Sequence, residues 1–166
     1  MPQLSRSTAN VGRTRRIATG LIVTPLLAAT AVIGGPVTTA QAATGHEYEM
    51  SVARLTNHER TSRGLVKLTW GSCLDRYAEA QAKWMAKHQN LQHQNLRPIL
   101  GNCDMNLVGE NIAVGYPTAK AVTRAWMKSP GHRENILKKQ YRRYGLGAYK
   151  DSHGRWWVSH VFGRRA

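Results

Sequence analysis

The stretch GENIAVGYPTAKAVTRAWMKSPGHRENIL, residues 109–137, holds the densest group of chemically useful side chains in this sequence. It joins a Glu and an Asn to a Trp-bearing segment, a Ser-Pro-Gly break, and a His that precedes a second Asn by three residues. We predict that Glu110 and His132 face each other across one cleft and that His93 completes it. The polar neighbours expected to line this cleft are Asn111, Ser129 and Asn135.

A short helix and a further turn are predicted inside this stretch. Thr118 is a suitable N-cap for the helix, because its hydroxyl can accept a hydrogen bond from a first-turn amide. Ser129 can cap the following turn, with Pro130 at a first position that needs no amide donor. His132 and Asn135 then share one face at a spacing of i, i+3.

Two longer amphipathic helices are predicted upstream. Apolar residues recur at spacings of three and four over residues 47–63, and Gly64 supplies the stop. Ser72-Cys73-Leu74-Asp75 has the capping-box pattern, so a second helix should begin there and run to about His88. The segment LVKLTW, residues 65–70, is interpreted as a bridge between these helices.

The polar, Asn-rich residues 89–106 predict a long loop, a kind of segment that is often functional, and this one carries His93. Downstream, residues 144–150 and 155–162 are β-type runs separated by Asp151-Ser152-His153-Gly154, which predicts a hairpin. Large side chains alternate onto both faces of its second strand, so both faces should be covered. The order of elements therefore predicts an α+β fold, an α-β-α sandwich with a small antiparallel sheet between helices.

Residues 1–42 predict a secretory signal peptide and an extracellular protein. They contain four arginines and no acid, then a mostly apolar run, and they end in Thr39-Ala40-Gln41-Ala42. A basic region, an apolar region and an A-x-A site are the parts of a cleavable export signal. Glycine and proline interrupt the apolar run, which argues against a membrane anchor. The export route stays open, because Arg15-Arg16 matches a twin-arginine signal poorly.

Removing 42 of the 166 residues leaves 124, enough for one domain, which we expect to be a monomer without a transmembrane anchor. The remainder carries 20 basic and 9 acidic residues, a formal charge of +11 with His neutral. Such a charge favours an anionic cell-wall polymer or lipid. Specific nucleic-acid binding is not expected, because the basic residues are scattered and form no stripe interleaved with aromatics.

The two cysteines, Cys73 and Cys103, lie in the exported part of the chain. An even pair in an exported protein usually forms a disulfide. A catalytic thiol is the alternative, and it would need one cysteine to be free and activated by a base.

Seven histidines are candidates for a site. Those expected at the surface or in packing are His46, His58, His153 and His160. His88 and His93 are five residues apart and cannot both be ligands on one helix face. Two imidazoles and a carboxylate, from His93, His132 and Glu110, can hold a zinc ion with a fourth position open for an activated water. The same three groups can also form a hydrogen-bonded lattice without a metal.

Several of these motifs together resemble the CAP superfamily, and within it the bacterial SCP-like extracellular proteins. The resemblance rests on Gly109-Glu110-Asn111-Ile112, on AVTRAWMKSPGHRENIL, and on Gly145-x-Gly147 followed by Trp156-Trp157-Val158 and Phe162-Gly163. The segment LTNHERTSRGLVKLTW resembles the first helix and following Gly-Leu turn of that family. The similarity covers about residues 51–163, which predicts a CAP domain there after a short lead-in at 43–50.

The resemblance implies an α-β-α sandwich whose cleft carries two His and two acidic residues and binds a divalent cation, often zinc, in some members. Carried over, the first His is His93, eight residues after Met85, the first acid is Glu110 and the second His is His132. The second acid is expected three residues after the helix Trp, where this chain has Ser129.

Two functions follow from these expectations. The first is a binding or effector module, at the cell wall or in the extracellular space, whose cleft holds a cation. The second is a metal-dependent hydrolase, most plausibly a peptidase, with Glu110 and His132 as candidate catalytic residues. The missing second carboxylate makes the hydrolase less secure, because the site lacks one charge and one candidate general base.

Overall fold

The computed structural model describes residues 44–165. The predicted signal peptide and its cleavage site after Ala42 lie outside the described residues. Within those residues, no helix is both long enough and apolar enough to cross a bilayer.

Five helices and four strands make up the described part of the chain. The helices are α1 (Gly45–Thr61), α2 (Ser72–His88), α3 (Arg97–Asn102), α4 (Ala119–Lys128) and α5 (Pro130–Leu137). The strands are β1 (Thr69–Trp70), β2 (Met105–Val114), β3 (Arg143–Lys150) and β4 (Trp156–Arg165).

The strands form one sheet in the order β1-β3-β4-β2. β3 and β4 are the predicted antiparallel hairpin, and β2 adds antiparallel to the other side of β4. β1 pairs parallel with β3, with Thr69 opposite Arg143. The interpretation of residues 65–70 as a simple bridge missed this edge strand, because two residues are too few to show alternation.

Helices cover both faces of the sheet, which confirms the α-β-α sandwich. α1, α4 and α5 cover one face, where the buried side chains include Val52, Val122, Trp126, Ile136, Val158 and Phe162. α2 covers the other face, where they include Leu74, Ala78, Met85, Trp157 and Val161. Residues 156–163 of β4 are all buried, as the alternation of large side chains predicted.

Glycines on β3 let α2 lie directly against the sheet. A Cβ added at Gly145 would overlap the backbone of Leu74, and one added at Gly147 would overlap the backbone of Ala78. Neither glycine needs an unusual backbone conformation. Their role is to remove side-chain volume where the helix and strand meet.

The two long helices begin differently from each other. α1 starts two residues before the predicted boundary, because Thr44 and Glu47 form a reciprocal capping box. The capping box predicted at Ser72 is wrong: Gly71 is the N-cap of α2 and no side chain caps it. Asp75 instead accepts a hydrogen bond from the Leu146 amide at 3.0 Å, which ties α2 to β3.

The predicted loop at residues 89–106 is partly ordered. It contains α3, which begins at Arg97 with Pro98 in its first turn, and its last two residues open β2. His93 lies in the irregular part that remains between α2 and α3.

The predicted disulfide is present between Cys73, in the first turn of α2, and Cys103, at the end of α3. The Cα atoms are 5.6 Å apart and the bond closes a loop with a sequence separation of 30. It therefore fastens the segment that carries His93 to the helix beneath the sheet.

Replacing both cysteines by alanine is expected to lower the free energy of unfolding by about 3.5 kcal/mol, through restored loop entropy in the unfolded chain. Urea denaturation of the oxidised protein and of the double variant measures the difference. Ser152→Ala, in the exposed hairpin turn, is the control and should leave stability unchanged. A difference near zero would show that the disulfide does not constrain the unfolded chain.

Candidate functional site

Glu110 lies on β2 and is the centre of a buried hydrogen-bond cluster. The residue is 4% exposed, and its side chain is fully buried. Its Oε2 accepts from His93 Nδ1 at 2.7 Å, and its Oε1 accepts from Gln94 Nε2 at 2.7 Å and from Ser159 Oγ at 2.8 Å. The Gln94 amide contributes a longer bond to Oε2 at 3.4 Å. Both carboxylate oxygens are therefore fully occupied by protein donors.

This arrangement fixes the tautomer of His93. A carboxylate held by other donors can only accept, so His93 donates through Nδ1–H. The Nε2 atom is then an unprotonated lone-pair donor whenever the ring is neutral. Because the His93 side chain is 56% exposed while Glu110 is buried, the outer edge of the ring is open to a ligand.

His132 is held in a similar way at the start of α5. Its Nδ1 lies 2.9 Å from Ser129 Oγ, the N-cap residue of that helix, which makes no capping bond of its own. Burial, and second the positive form of His93, lower the pKa of His132 below its ordinary value. The ring of His132 is therefore neutral at pH 7, and its Nε2 carries the lone pair in the tautomer whose Nδ1–H donates to Ser129 Oγ.

Two asparagines fix α5 against β2. Asn111 Nδ2 donates to the carbonyl of His132 at 3.0 Å. Asn135 Nδ2 donates to Asn111 Oδ1 at 2.9 Å and to the carbonyl of Glu110 at 3.2 Å. Gly109 permits this approach, because a Cβ there would overlap the hydroxyl of Tyr141. Asn111 and Asn135 thus hold helix α5 against strand β2 and need not touch a ligand.

A pocket of about 280 Å³ lies beside His132 and Ser129. Its walls are otherwise mostly apolar, with side chains from the loop before His93, from β2 and from α4: Leu91, Ile112, Val114, Tyr116, Ala125 and Trp126. Trp126 is itself fixed by a hydrogen bond from Nε1 to the Ile112 carbonyl at 3.3 Å. The pocket therefore combines the imidazole of His132 with an apolar wall, and His93 is not among the residues that line it.

The structure brings the predicted residues into one region, in two linked groups. His93 contacts Glu110, and Ser129 contacts His132, while Asn111 and Asn135 connect the groups through backbone and amide bonds. Gln94 and Ser159, which both contact Glu110, were not predicted as site residues. Ser159 could have been found, because it is the one small polar residue on its face of a strand with otherwise large side chains.

The donor set limits what a cation could bind. Among residues 44–165, no group of three or more His, Cys, Asp and Glu side chains is placed to hold a metal ion. The imidazole nitrogens left to ligate a cation are Nε2 of His93 and Nε2 of His132. A cation there would complete its shell with water or with an exogenous ligand.

Comparison with known proteins identifies the family. The model of the cysteine-rich secretory protein family, CAP, matches residues 53–161. The chain belongs to the CAP family. The curated protein YkwD of Bacillus subtilis is 36% identical to this CAP protein over 126 residues, which cover 70% of this chain and 48% of YkwD. This chain thus spans about half the length of that relative.

Solved structures share the fold. An extracellular protein containing an SCP domain from Bacillus anthracis has 26% identity and a TM-score of 0.67, over 79% of this chain and 45% of that chain. A cysteine-rich secretory protein from Staphylococcus aureus has 21% identity and a TM-score of 0.63, over 78% of this chain and 40% of that one. The second similarity shows the fold alone. These similarities confirm the resemblance read from the sequence and place the chain among extracellular-type CAP domains.

Proposed function

We propose that this CAP domain is an exported binding module whose cleft holds a divalent cation, zinc first, between His93 and His132. The observation that carries the proposal is that protein groups engage both Nδ1 atoms, so that a ligand can reach only the Nε2 atoms. His132 offers its Nε2 lone pair in the tautomer whose Nδ1–H donates to Ser129 Oγ. Neutral imidazole is the preferred nitrogen ligand of zinc. When bound, the cation would supply a Lewis-acid position for a polar group of a ligand.

Glu110 acts in this proposal through His93. A ligating histidine usually donates its other ring N–H to a carboxylate, which orients the ring and raises its basicity. The His93–Glu110 pair at 2.7 Å has that arrangement. Ser129, at the position where the family pattern has the second acid, gives the same support to His132 through a neutral hydroxyl.

A binding role is favoured over hydrolysis by the state of Glu110. A general base needs a lone pair within reach of the water that it deprotonates. The Glu110 oxygens accept bonds from His93, Gln94 and Ser159, and the side chain is fully buried. A metal-dependent peptidase remains the alternative. With His93 and His132 as its ligands, its base would be Glu110, whose oxygens would first have to lose some of these hydrogen bonds.

The proposed setting is the cell wall or the extracellular space. It is supported by the similarity to an extracellular protein of Bacillus anthracis and by the formal charge of +11 that remains once the predicted signal peptide is removed. A strongly basic surface attracts an anionic wall polymer or lipid. Such attachment would hold the cleft close to ligands in the wall.

Metal analysis of the purified protein tests the proposal. After incubation with zinc and removal of free metal, the wild type is expected to retain one zinc per chain and His93→Ala to retain none. His153→Ala removes an exposed histidine of the hairpin turn and should leave the stoichiometry unchanged. Equal retention by wild type and His93→Ala would contradict the site. Zinc-dependent peptide cleavage that is lost in His132→Ala would replace the binding role by the peptidase.

Ser129→Ala is expected to weaken zinc binding by roughly 10-fold to 100-fold, the usual loss when a partner that orients a ligand is removed. Its backbone still occupies the N-cap position of α5, and no capping bond is lost. Competition with a chromogenic chelator measures the affinity, and Ser152→Ala provides the control. An unchanged affinity would show that Ser129 does not support His132.

A further inference from the structure

One end of the sheet concentrates positive charge. β3 begins there and β4 ends there as its antiparallel neighbour, while β1 and its lead-in lie on the other side of β3. Basic side chains therefore arrive from three adjacent segments. We call this group the basic end; its members are Lys67, Arg142, Arg143, Arg164 and Arg165.

The charges of the basic end are not neutralised by the protein. In the described part of the chain none of these five side chains forms an ion pair with a carboxylate. Arg143 instead donates to the carbonyl of Trp70 at 3.4 Å, and Arg164 donates to Asn106 Oδ1 at 2.8 Å. Arg142 donates to the carbonyl of Tyr141 at 3.0 Å. Their guanidinium groups keep free donors for an external anion.

Large apolar side chains project beside these arginines. Trp70, on β1, is 54% exposed, and Val66, in the lead-in to β1, is 61% exposed. Trp70, Arg143 and Arg165 line one pocket of about 210 Å³ next to the disulfide. Exposed tryptophan among basic residues is typical of proteins that rest at a bilayer surface.

Carboxylates lie on the other side of Trp70. Glu49, Asp75 and Glu79 line the neighbouring pocket, and the first two accept backbone amides of β3. Asp104 immediately precedes Met105, which pairs with Arg165, so one carboxylate lies at this end of the sheet, on the far side of β4 from Trp70. An anionic surface would be repelled from the carboxylate side of Trp70, which favours an approach across the arginines.

We propose that the basic end, together with Val66 and Trp70, is a docking face for an anionic lipid bilayer. This deepens the proposed attachment to anionic surfaces and selects lipid as the partner. Arginines bind the phosphate headgroups, and Trp70 and Val66 enter the interfacial layer. A soluble polyanion would use the arginines and would gain nothing from the two exposed apolar side chains.

Vesicle co-sedimentation tests the charge contribution. The protein is expected to bind vesicles of phosphatidylcholine mixed with phosphatidylglycerol and not to bind vesicles of pure phosphatidylcholine. High salt should release it from the mixed vesicles. Arg143→Gln combined with Arg165→Gln should weaken binding about 30-fold, since each basic residue near an anionic leaflet contributes about one factor of five. Arg54→Gln combined with Arg124→Gln, on exposed faces of α1 and α4, removes the same charge elsewhere and should change binding by less than about threefold. If both double variants lost vesicle affinity equally, the docking face would not lie at the basic end.

A second comparison tests the choice of lipid. Trp70→Ser should weaken vesicle binding about tenfold, whereas Trp84→Ser, at another exposed tryptophan on α2, should not. Thermal unfolding of each variant shows that its fold is retained. If Trp70→Ser leaves vesicle binding intact, or if soluble poly(glycerol phosphate) binds the wild type as tightly as the vesicles do, the lipid proposal is wrong. His132→Ala separates the two proposals, because it should lose zinc and keep vesicle binding.

Discussion

His160→Phe is expected to abolish most of the stability loss that the wild type shows between pH 6.5 and pH 3. His160 is 0% exposed on β4, and neither of its ring nitrogens has a hydrogen-bond partner among the described residues. Its ring is surrounded by aromatic side chains, with the Phe162 centroid at 4.0 Å and those of Tyr144 and Trp126 at 5.8 and 5.9 Å. An imidazole in such a place is kept neutral, because nothing there can stabilise its cation.

The burial of His160 sets both the direction and the size of this change in stability with pH. Burial lowers the pKa of His160 from 6.5 to about 3. Between these values the unfolded chain binds a proton that the folded chain does not, so stability is complete above pH 6.5 and falls as the pH drops towards 3. At 1.36 kcal/mol for each pH unit, the loss over this range is about 5 kcal/mol.

Urea denaturation at pH 7 and at pH 4 measures the effect as a difference between wild type and variant. Other groups titrate in this range: burial raises the pKa of Glu49 to about 7, which makes stability fall as the pH rises from 4.5 to 7. Both proteins contain Glu49, so its contribution cancels. His160→Leu is a second variant in case the larger ring does not fit. If the free energy of unfolding changed with pH in the same way in the wild type and in both variants, His160 would not be held neutral.

Arg60→Ala is expected to lower the free energy of unfolding by about 5 kcal/mol. Arg60 lies on α1, is 0% exposed, and its guanidinium group donates to four backbone carbonyls. Nη1 reaches Ile136 O at 2.8 Å and Lys138 O at 3.0 Å, Nε reaches Val66 O at 2.9 Å, and Nη2 reaches Tyr141 O at 3.2 Å. It therefore ties α1 to the lead-in of β1, to the end of α5 and to the segment between α5 and β3.

The expected loss of stability in Arg60→Ala reflects the four backbone carbonyls that are left without a donor. Each bond from a charged donor contributes about 1.5 to 3 kcal/mol, partly offset because the buried charge is also removed. Arg60→Lys should recover only part of the loss, since one ammonium cannot reproduce the planar fork. Arg54→Ala, at an exposed position on the same helix, should change stability by less than about 0.5 kcal/mol. A similar small effect for Arg60→Ala would mean that these bonds contribute nothing net.

The sequence predicted the architecture well where a periodic pattern extended over many residues. The alternation along 155–162 gave both faces of β4 correctly, and the order of helices and strands gave the sandwich. Shorter signals were less reliable. Ser72 and Asp75 match a capping box in spacing, but Asp75 is used by the Leu146 amide, a contact that depends on how α2 lies on β3. The two-residue β1 exists only because β3 is beside it.

For the site, the local pattern identified Glu110, Ser129 and His132 but not their partners. His93 contacts Glu110 at a sequence separation of 17, and its selection came from the family resemblance. Gln94 and Ser159 reach the same carboxylate from different elements. Such convergence is set by tertiary packing, which no spacing in the sequence records. The same is true of His160, whose strand position predicts a face and not the absence of polar partners.

The most direct test of the cleft is a long-range ¹H–¹⁵N spectrum of the imidazoles, recorded at pH 8 before and after addition of zinc. With His93 and His132 assigned by their alanine variants, His93 is expected as the Nδ1–H tautomer, because its Nδ1 donates to Glu110. Zinc should then shift the Nε2 resonances of His93 and His132 together, and leave that of the exposed His153 unchanged. The proposed cation site would be contradicted if His93 were the Nε2–H tautomer. It would also be contradicted if zinc left the Nε2 resonances of His93 and His132 unshifted.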